Sequence, residues 1–131
     1  MEPNGKGSDP LQSLVADERE FARETLAEAL RPLLNLTKDG DLLLKPNFSD
    51  LKARQQVLAI LLGLKAAELL EFRSSPAAPP GEIVEVSGMA AGTVRPALSS
   101  LLKERLVSKD DSGAYFIPLH AAGQVIEIVK R

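Results

Sequence analysis

The sequence predicts a mainly α-helical protein with a small β-hairpin near its C-terminal end. Apolar residues recur at helical spacing over residues 11–34 and again over residues 50–72. From Pro80 onward a short apolar-faced helix, a Ser-Gly turn and a longer helix follow one another. Residues 106–117 then set an Asp-Asp-Ser-Gly turn between two strand-compatible runs. Aromatics are only 4% of the chain, so its core is built of Leu, Ile, Val and Ala.

Residues 1–10 hold two glycines, two prolines, an Asn and a Ser, and read as a disordered tail. Residues 11–50 form an extension: an N-terminal helix followed by a short hairpin or a plain loop. Leu11, Leu14, Val15, Phe21, Ala22, Thr25, Leu26, Ala29, Leu30 and Leu33 share one stripe of that helix. Asp17, Glu20, Arg23, Glu24, Glu28 and Arg31 share the other. Ser8 or Asp9 is the expected cap, with Pro10 at the first helical position. Pro32 ends or kinks the helix. Asp39-Gly40 between Leu-rich flanks signals a hairpin over residues 34–44, the plain loop being the competing reading.

Ser49 is the expected cap of a second long helix over residues 50–72. Its Leu51, Val57, Leu58, Leu61, Leu62, Leu64, Leu69 and Leu70 cover more than one face, which marks a central helix. Residues 74–81, SSPAAPPG, are a short extended connector.

Pro80 opens a short helix through Ser87, and Gly88 supplies the turn after it. The next helix, about 91–105, turns Val94, Leu98, Leu101 and Leu102 inward. Thr93 is favoured as its cap, because Pro96 then falls in the first turn, where a missing N–H costs little. A single strained turn ahead of Thr93 is the alternative. The hairpin over residues 106–117 follows, with Tyr115 and Phe116 alternating across its second strand. Pro118 ends it. Residues 119–131 form a last amphipathic helix carrying Leu119, Ala122, Val125, Ile126 and Val129, with His120 exposed near its start.

Residues 82–117, EIVEVSGMAAGTVRPALSSLLKERLVSKDDSGAYFI, resemble the winged helix-turn-helix superfamily of bacterial and archaeal transcription regulators. The likeness lies in Gly92-Thr93-Val94-Arg95, Leu98, Leu101, Leu106-Val107, Gly113 and Tyr115. It extends over residues 51–131, with the central helix as the first of the family's three. The resemblance implies a winged helix domain with an added N-terminal helix. It also implies a recognition helix in the major groove and a wing against the adjacent backbone. The groove-facing side is then Ala91, Gly92, Thr93, Arg95, Pro96, Ser99, Ser100 and Lys103, with a wing tip at residues 109–112. Thr93, Arg95, Ser99, Ser100, Lys103 and Lys109 are the implied DNA contacts. Asp110 and Asp111 depart from that pattern, because carboxylates repel a phosphate backbone.

Composition narrows the function classes. With no cysteine and one histidine, the chain offers no disulfide framework, thiolate nucleophile or His-based metal site. No acid, base or nucleophile stands close enough in sequence to another to suggest catalysis, no glycine loop cradles phosphate, and no cofactor is implied. The longest apolar run, residues 57–64, falls short of the roughly 18 needed to span a bilayer. A soluble, cytoplasmic, non-enzymatic binding module is expected.

The leading class is a regulator binding duplex DNA as a homodimer paired through the N-terminal stripe. The second is a winged-helix module that binds a protein partner and no DNA. Net charge is −2, and from Pro80 onward six basic residues meet six acidic ones, which motivates that second class. Arg95 correspondingly has a rival role, pairing with Glu85. A third class, a small-molecule-responsive regulator with a pocket between the two long helices, finds no convergent polar groups in the sequence.

Overall fold

The computed structural model describes residues 10–14 and 23–131. The described chain is mainly helical and carries two small antiparallel hairpins. In order these elements are α1 (Arg23–Leu30), β1 (Leu34–Leu36), β2 (Leu42–Leu44), α2 (Ala53–Leu69), α3 (Pro80–Ser87), α4 (Ala91–Lys103), β3 (Ser108–Lys109), β4 (Tyr115–Phe116) and α5 (Ala122–Lys130). Short 3-10 turns occupy Pro10–Leu14, Pro46–Asp50 and Leu119–Ala121.

The N-terminal helix is shorter than its apolar stripe suggested. Pro10–Leu14 is a 3-10 turn whose Leu11 and Leu14 are exposed rather than inward-facing. The expected tail and cap, with Val15, Phe21 and Ala22 of the stripe, lie outside the described residues. α1 stops at Leu30 because Pro32 has no N–H to donate and disfavours helical backbone just before it. Leu26, Ala29, Leu30 and Leu33 are buried in this chain's own core. The later part of the stripe expected to meet a second copy is therefore occupied within the protomer, while Leu11 and Leu14 are exposed.

The segment after α1 is a hairpin and not a plain loop. Its register pairs Leu34 with Leu44, Asn35 with Leu43 and Leu36 with Leu42. The Thr37 N–H donates to the Asp41 carbonyl at 2.9 Å, and the Asp41 N–H donates to Thr37 Oγ1 at 3.0 Å. Gly40 sits in the turn at φ 86°, and a Cβ there would lie 2.6 Å from the Phe72 carbonyl oxygen. The hairpin tip thus touches the chain just past α2. Leu34 and Leu42 pack over Gly63.

α2 begins at Ala53, later than expected, and Ser49 does not cap it. The Ser49 hydroxyl donates to the Pro46 carbonyl inside the preceding 3-10 turn. Lys52 takes the cap position, and its N–H donates to the Gln55 side chain at 3.0 Å. The helix ends in a left-handed Glu71 at φ 64°. There the Glu71 N–H bonds the Glu68 carbonyl and the Phe72 N–H reaches back to Ala67, a Schellman closure. Gly63 is buried and the other residues of 57–64 are at most 1% exposed. α2 packs against α1, α3, α4, α5, both strands of the first hairpin and β4.

The connector after α2 is organised by Arg73. Its guanidinium donates to the Ser75 and Ala77 carbonyls and pairs with Glu82 at 3.2 Å. The buried Ala78 then exchanges two backbone hydrogen bonds with Tyr115, laying an extended residue beside β4. One continuous cluster of buried side chains joins α1, the first hairpin, α2 and everything after it. Among the described residues, no helix is long and apolar enough to cross a membrane.

Gly40→Ala forces both a strained backbone and a clash with the Phe72 carbonyl, and is expected to cost about 1–3 kcal/mol. Urea unfolding measures it; a midpoint equal to that of the parent protein would contradict the close approach.

Candidate nucleic-acid interface

α3 runs from Pro80 to Ser87, as the Pro start and Gly stop implied. Gly88 is left-handed at φ 76°, and its N–H returns to the Val84 carbonyl. A side chain would be strained at that φ. The Ser87 hydroxyl accepts from the Met89 N–H at 3.0 Å, fixing the exit from the turn.

α4 starts at once after this turn, and Ala90, not Thr93, is its cap. The Thr93 and Val94 N–H groups both donate to the Ala90 carbonyl, at 2.9 and 3.0 Å. Thr93 lies in the first turn, and Pro96 lies inside the helix. The early start has a packing reason. Val94, Leu98 and Leu101 are at most 1% exposed, so their burial sets the helix phase from its first turn. The proline is tolerated because it projects into solvent and the carbonyl it leaves unpaired belongs to the exposed Gly92. Leu102, expected inward, is 37% exposed. One step past Leu101, it lies at the border of the buried face.

The outward side of α4 is open. Ala91, Gly92, Thr93, Arg95, Pro96, Ser99, Ser100 and Lys103 are all exposed. Among the described residues, the Arg95, Ser99 and Lys103 side chains make no hydrogen bond or ion pair; Arg95 does not pair with Glu85. Ser100 is different: its hydroxyl donates to Glu104 at 3.1 Å. Glu104 in turn accepts two hydrogen bonds from Arg54 of α2, at 2.7 and 2.9 Å. Arg54 above all, with Ser100 adding to it, holds the Glu104 carboxyl below its usual range. This clamp was not visible in the sequence, because its partners are 50 residues apart.

The second hairpin follows α4 through a Schellman turn. Arg105 is left-handed at φ 62°, and the Leu106 N–H reaches back to Leu101. Ser108 pairs with Phe116 and Lys109 with Tyr115. Tyr115 is buried and Phe116 half-buried, the expected alternation. The Lys109 ammonium sits 5.6 Å from the ring centroid of Tyr115, its cross-strand partner, while the Lys109 residue remains exposed.

Asp110, read as a possible repulsive charge, organises the tip. Its carboxylate accepts from the Ser112 hydroxyl at 2.7 Å, the Ser112 N–H at 2.9 Å and the Ala114 N–H at 3.0 Å. These donors, the Ser112 hydroxyl first, hold its pKa below the ordinary value. The Asp-Asp-Ser-Gly spacing carried this signal as an Asx turn. Asp111 is exposed.

His120 is exposed, and so is Leu119, which the sequence had placed inward. The last helix begins only at Ala122, after a 3-10 turn. Among the described residues, no group of three His, Cys, Asp or Glu side chains could hold a metal ion.

Both depressed carboxylates stabilise the fold above their unfolded pKa values and lose that effect as pH falls through the folded ones. Asp110→Asn is therefore expected to lower the melting temperature near neutral pH, with the gap to the parent protein closing as pH falls below the ordinary aspartate range. A gap that stays constant with pH would contradict the role of the charge.

Comparison with known proteins finds no matching family model, no matching curated protein and no matching solved structure.

Proposed function

We propose that residues 51–131 form a winged helix-turn-helix and that the protein is a DNA-binding transcriptional regulator. In this reading α4 is the recognition helix and the second hairpin is the wing. The order α2, α3, Gly88 turn, α4, hairpin supports it. The observation that carries it is the open outward face of α4, where Arg95 and Lys103 are exposed and uncommitted. Lys109 extends this face along the hairpin. Guanidinium and ammonium groups left free beside small side chains suit close approach to a phosphate backbone and, for Arg95, to a guanine edge. The small Ala91, Gly92 and Ser99 leave room for that approach. Asp110 has a structural role in the tip, where Ser112 and Ala114 donate to its carboxylate, but it keeps its negative charge there.

A protein-binding module without DNA is the second reading. It is favoured by the exposed Leu102 and Pro96 on α4 and the exposed Asp111 at the hairpin tip.

Fluorescence anisotropy with labelled duplex DNA separates the two. Binding is expected at low salt, with log affinity falling against log salt at a slope near −3 for about three phosphate contacts. Arg95→Ala with Lys103→Ala is expected to weaken binding at least about tenfold while far-UV circular dichroism is unchanged. No binding at low salt, or binding indifferent to both substitutions, would favour the second reading.

A further inference from the structure

A groove of about 410 Å³ lies between α1, β1 and the C-terminal end of α2, and none of its lining residues belongs to α4 or the second hairpin. Leu26, Leu30, Leu69 and Leu70 are among the side chains of its apolar wall. Two further features mark what it accepts. First, β1 is an edge strand. The Lys45 N–H bonds Leu33 and the Thr37 N–H bonds Asp41, so the odd-numbered positions of β1 face β2. The backbone N–H and C=O of Leu34 and Leu36 therefore point away from β2. Both residues line the groove, Leu36 half-buried and Leu34 at its floor with 4% exposure. An unpaired strand edge is a template for another extended chain.

Second, the rim contributed by α1 is basic. Arg23 and Ala27 of α1, and Arg31 just past its end, all line the groove and recur every four residues; the Arg31 N–H still bonds the Ala27 carbonyl, so the three share one face. Arg23 and Arg31 stand about 12 Å apart along it. Ala27 between them keeps the groove open. Glu24 and Glu28, one residue further round, are not among the lining residues. Arg23 bridges to the Leu69 carbonyl at 3.2 Å, whereas the Arg31 side chain makes no hydrogen bond or ion pair among the described residues.

We propose that this groove docks an extended peptide segment of a partner protein, apolar in its middle and acidic at both ends, which adds as a strand to the free edge of β1. An extended chain rises about 3.3 Å per residue, so the arginine spacing corresponds to about four residues. Apolar side chains enter the leucine-lined space, the backbone satisfies Leu34 and Leu36, and the terminal carboxylates meet Arg23 and Arg31. The surface is separate from the proposed DNA-facing side of α4, so one chain holds both partners at once.

The test uses the full chain, isotope-labelled for NMR, and a blocked peptide Glu-Leu-Val-Leu-Glu, with a Lys-flanked peptide of the same middle as control. Saturable shifts are expected at the Leu34, Leu36, Leu69 and Leu70 amides, with the Lys-flanked peptide bound about tenfold more weakly. Arg31→Glu removes the charge match, and Ala27→Phe fills the groove from an exposed position; each is expected to abolish the shifts while the remaining spectrum is kept. Absence of saturable binding, equal binding of the two peptides, or shifts away from β1 would overturn the proposal. So would groove occupancy by dodecanoate without peptide binding, or concentration-dependent self-association through these residues.

Discussion

The burial of α2 on all its sides is the constraint on which the other elements depend. Residues 57–64 have essentially no contact with solvent, and the polar residues of the helix, Arg54, Gln55, Gln56, Lys65 and Glu68, lie on either side of this stretch. Each buried Leu, Ile or Val side chain contributes about 1.5–3 kcal/mol, and no single neighbouring element covers more than one side of the helix. α1 with the first hairpin, the α3–α4 pair, and α5 all pack against it. Stable burial of α2 therefore requires all of them together. This explains why the N-terminal extension shares one core with the C-terminal part.

The same constraint produces the candidate interface. Val94, Leu98 and Leu101 are committed to the core around α2, so the opposite residues of α4 face solvent as a set. Polar ties at the periphery refine the placement. Arg54 holds the C-terminal end of α4 through Glu104, and the Gln55 side chain donates to the Ile128 carbonyl of α5 at 2.9 Å. Exposed ion pairs of this kind add little stability. Their effect is positional: α4 and the hairpin that follows it keep a defined angle to α2.

Where local chemistry and burial agree, the sequence was legible. Pro80 and Gly88 bracket α3, Asp39-Gly40 marks the first hairpin, and the Asp-Asp-Ser-Gly tip lies where its turn residues put it. The central place of α2 was readable from its leucines. Expectations failed where two local rules competed with packing. Thr93 and Pro96 argued for a late start to α4, but the apolar phase of Val94 and Leu98 prevailed. Ser49 looked like a cap but belongs to a turn that positions Phe48 in the core. The stripe over residues 11–34 was read as one helix, yet its first leucines are exposed and its last lie beyond the end of α1. The Arg54–Glu104 clamp, the Ala78–Tyr115 bridge and the free edge of β1 depend on tertiary placement, and no local pattern encodes them. Arg95, Lys103 and Lys109 were identifiable as exposed cations, but the freedom of Arg95 and Lys103 from partners, and the seat of Lys109 beside the Tyr115 ring, became visible only with the fold.

Native-state amide hydrogen exchange tests the organising role of α2 most directly. If every element depends on covering that helix, the amides of residues 57–64 exchange only through global unfolding, more slowly than those of any other helix, with α1 and α4 protected to a lesser but linked degree. Exchange of α2 by local opening, faster than that of α4 or α5, would contradict the account.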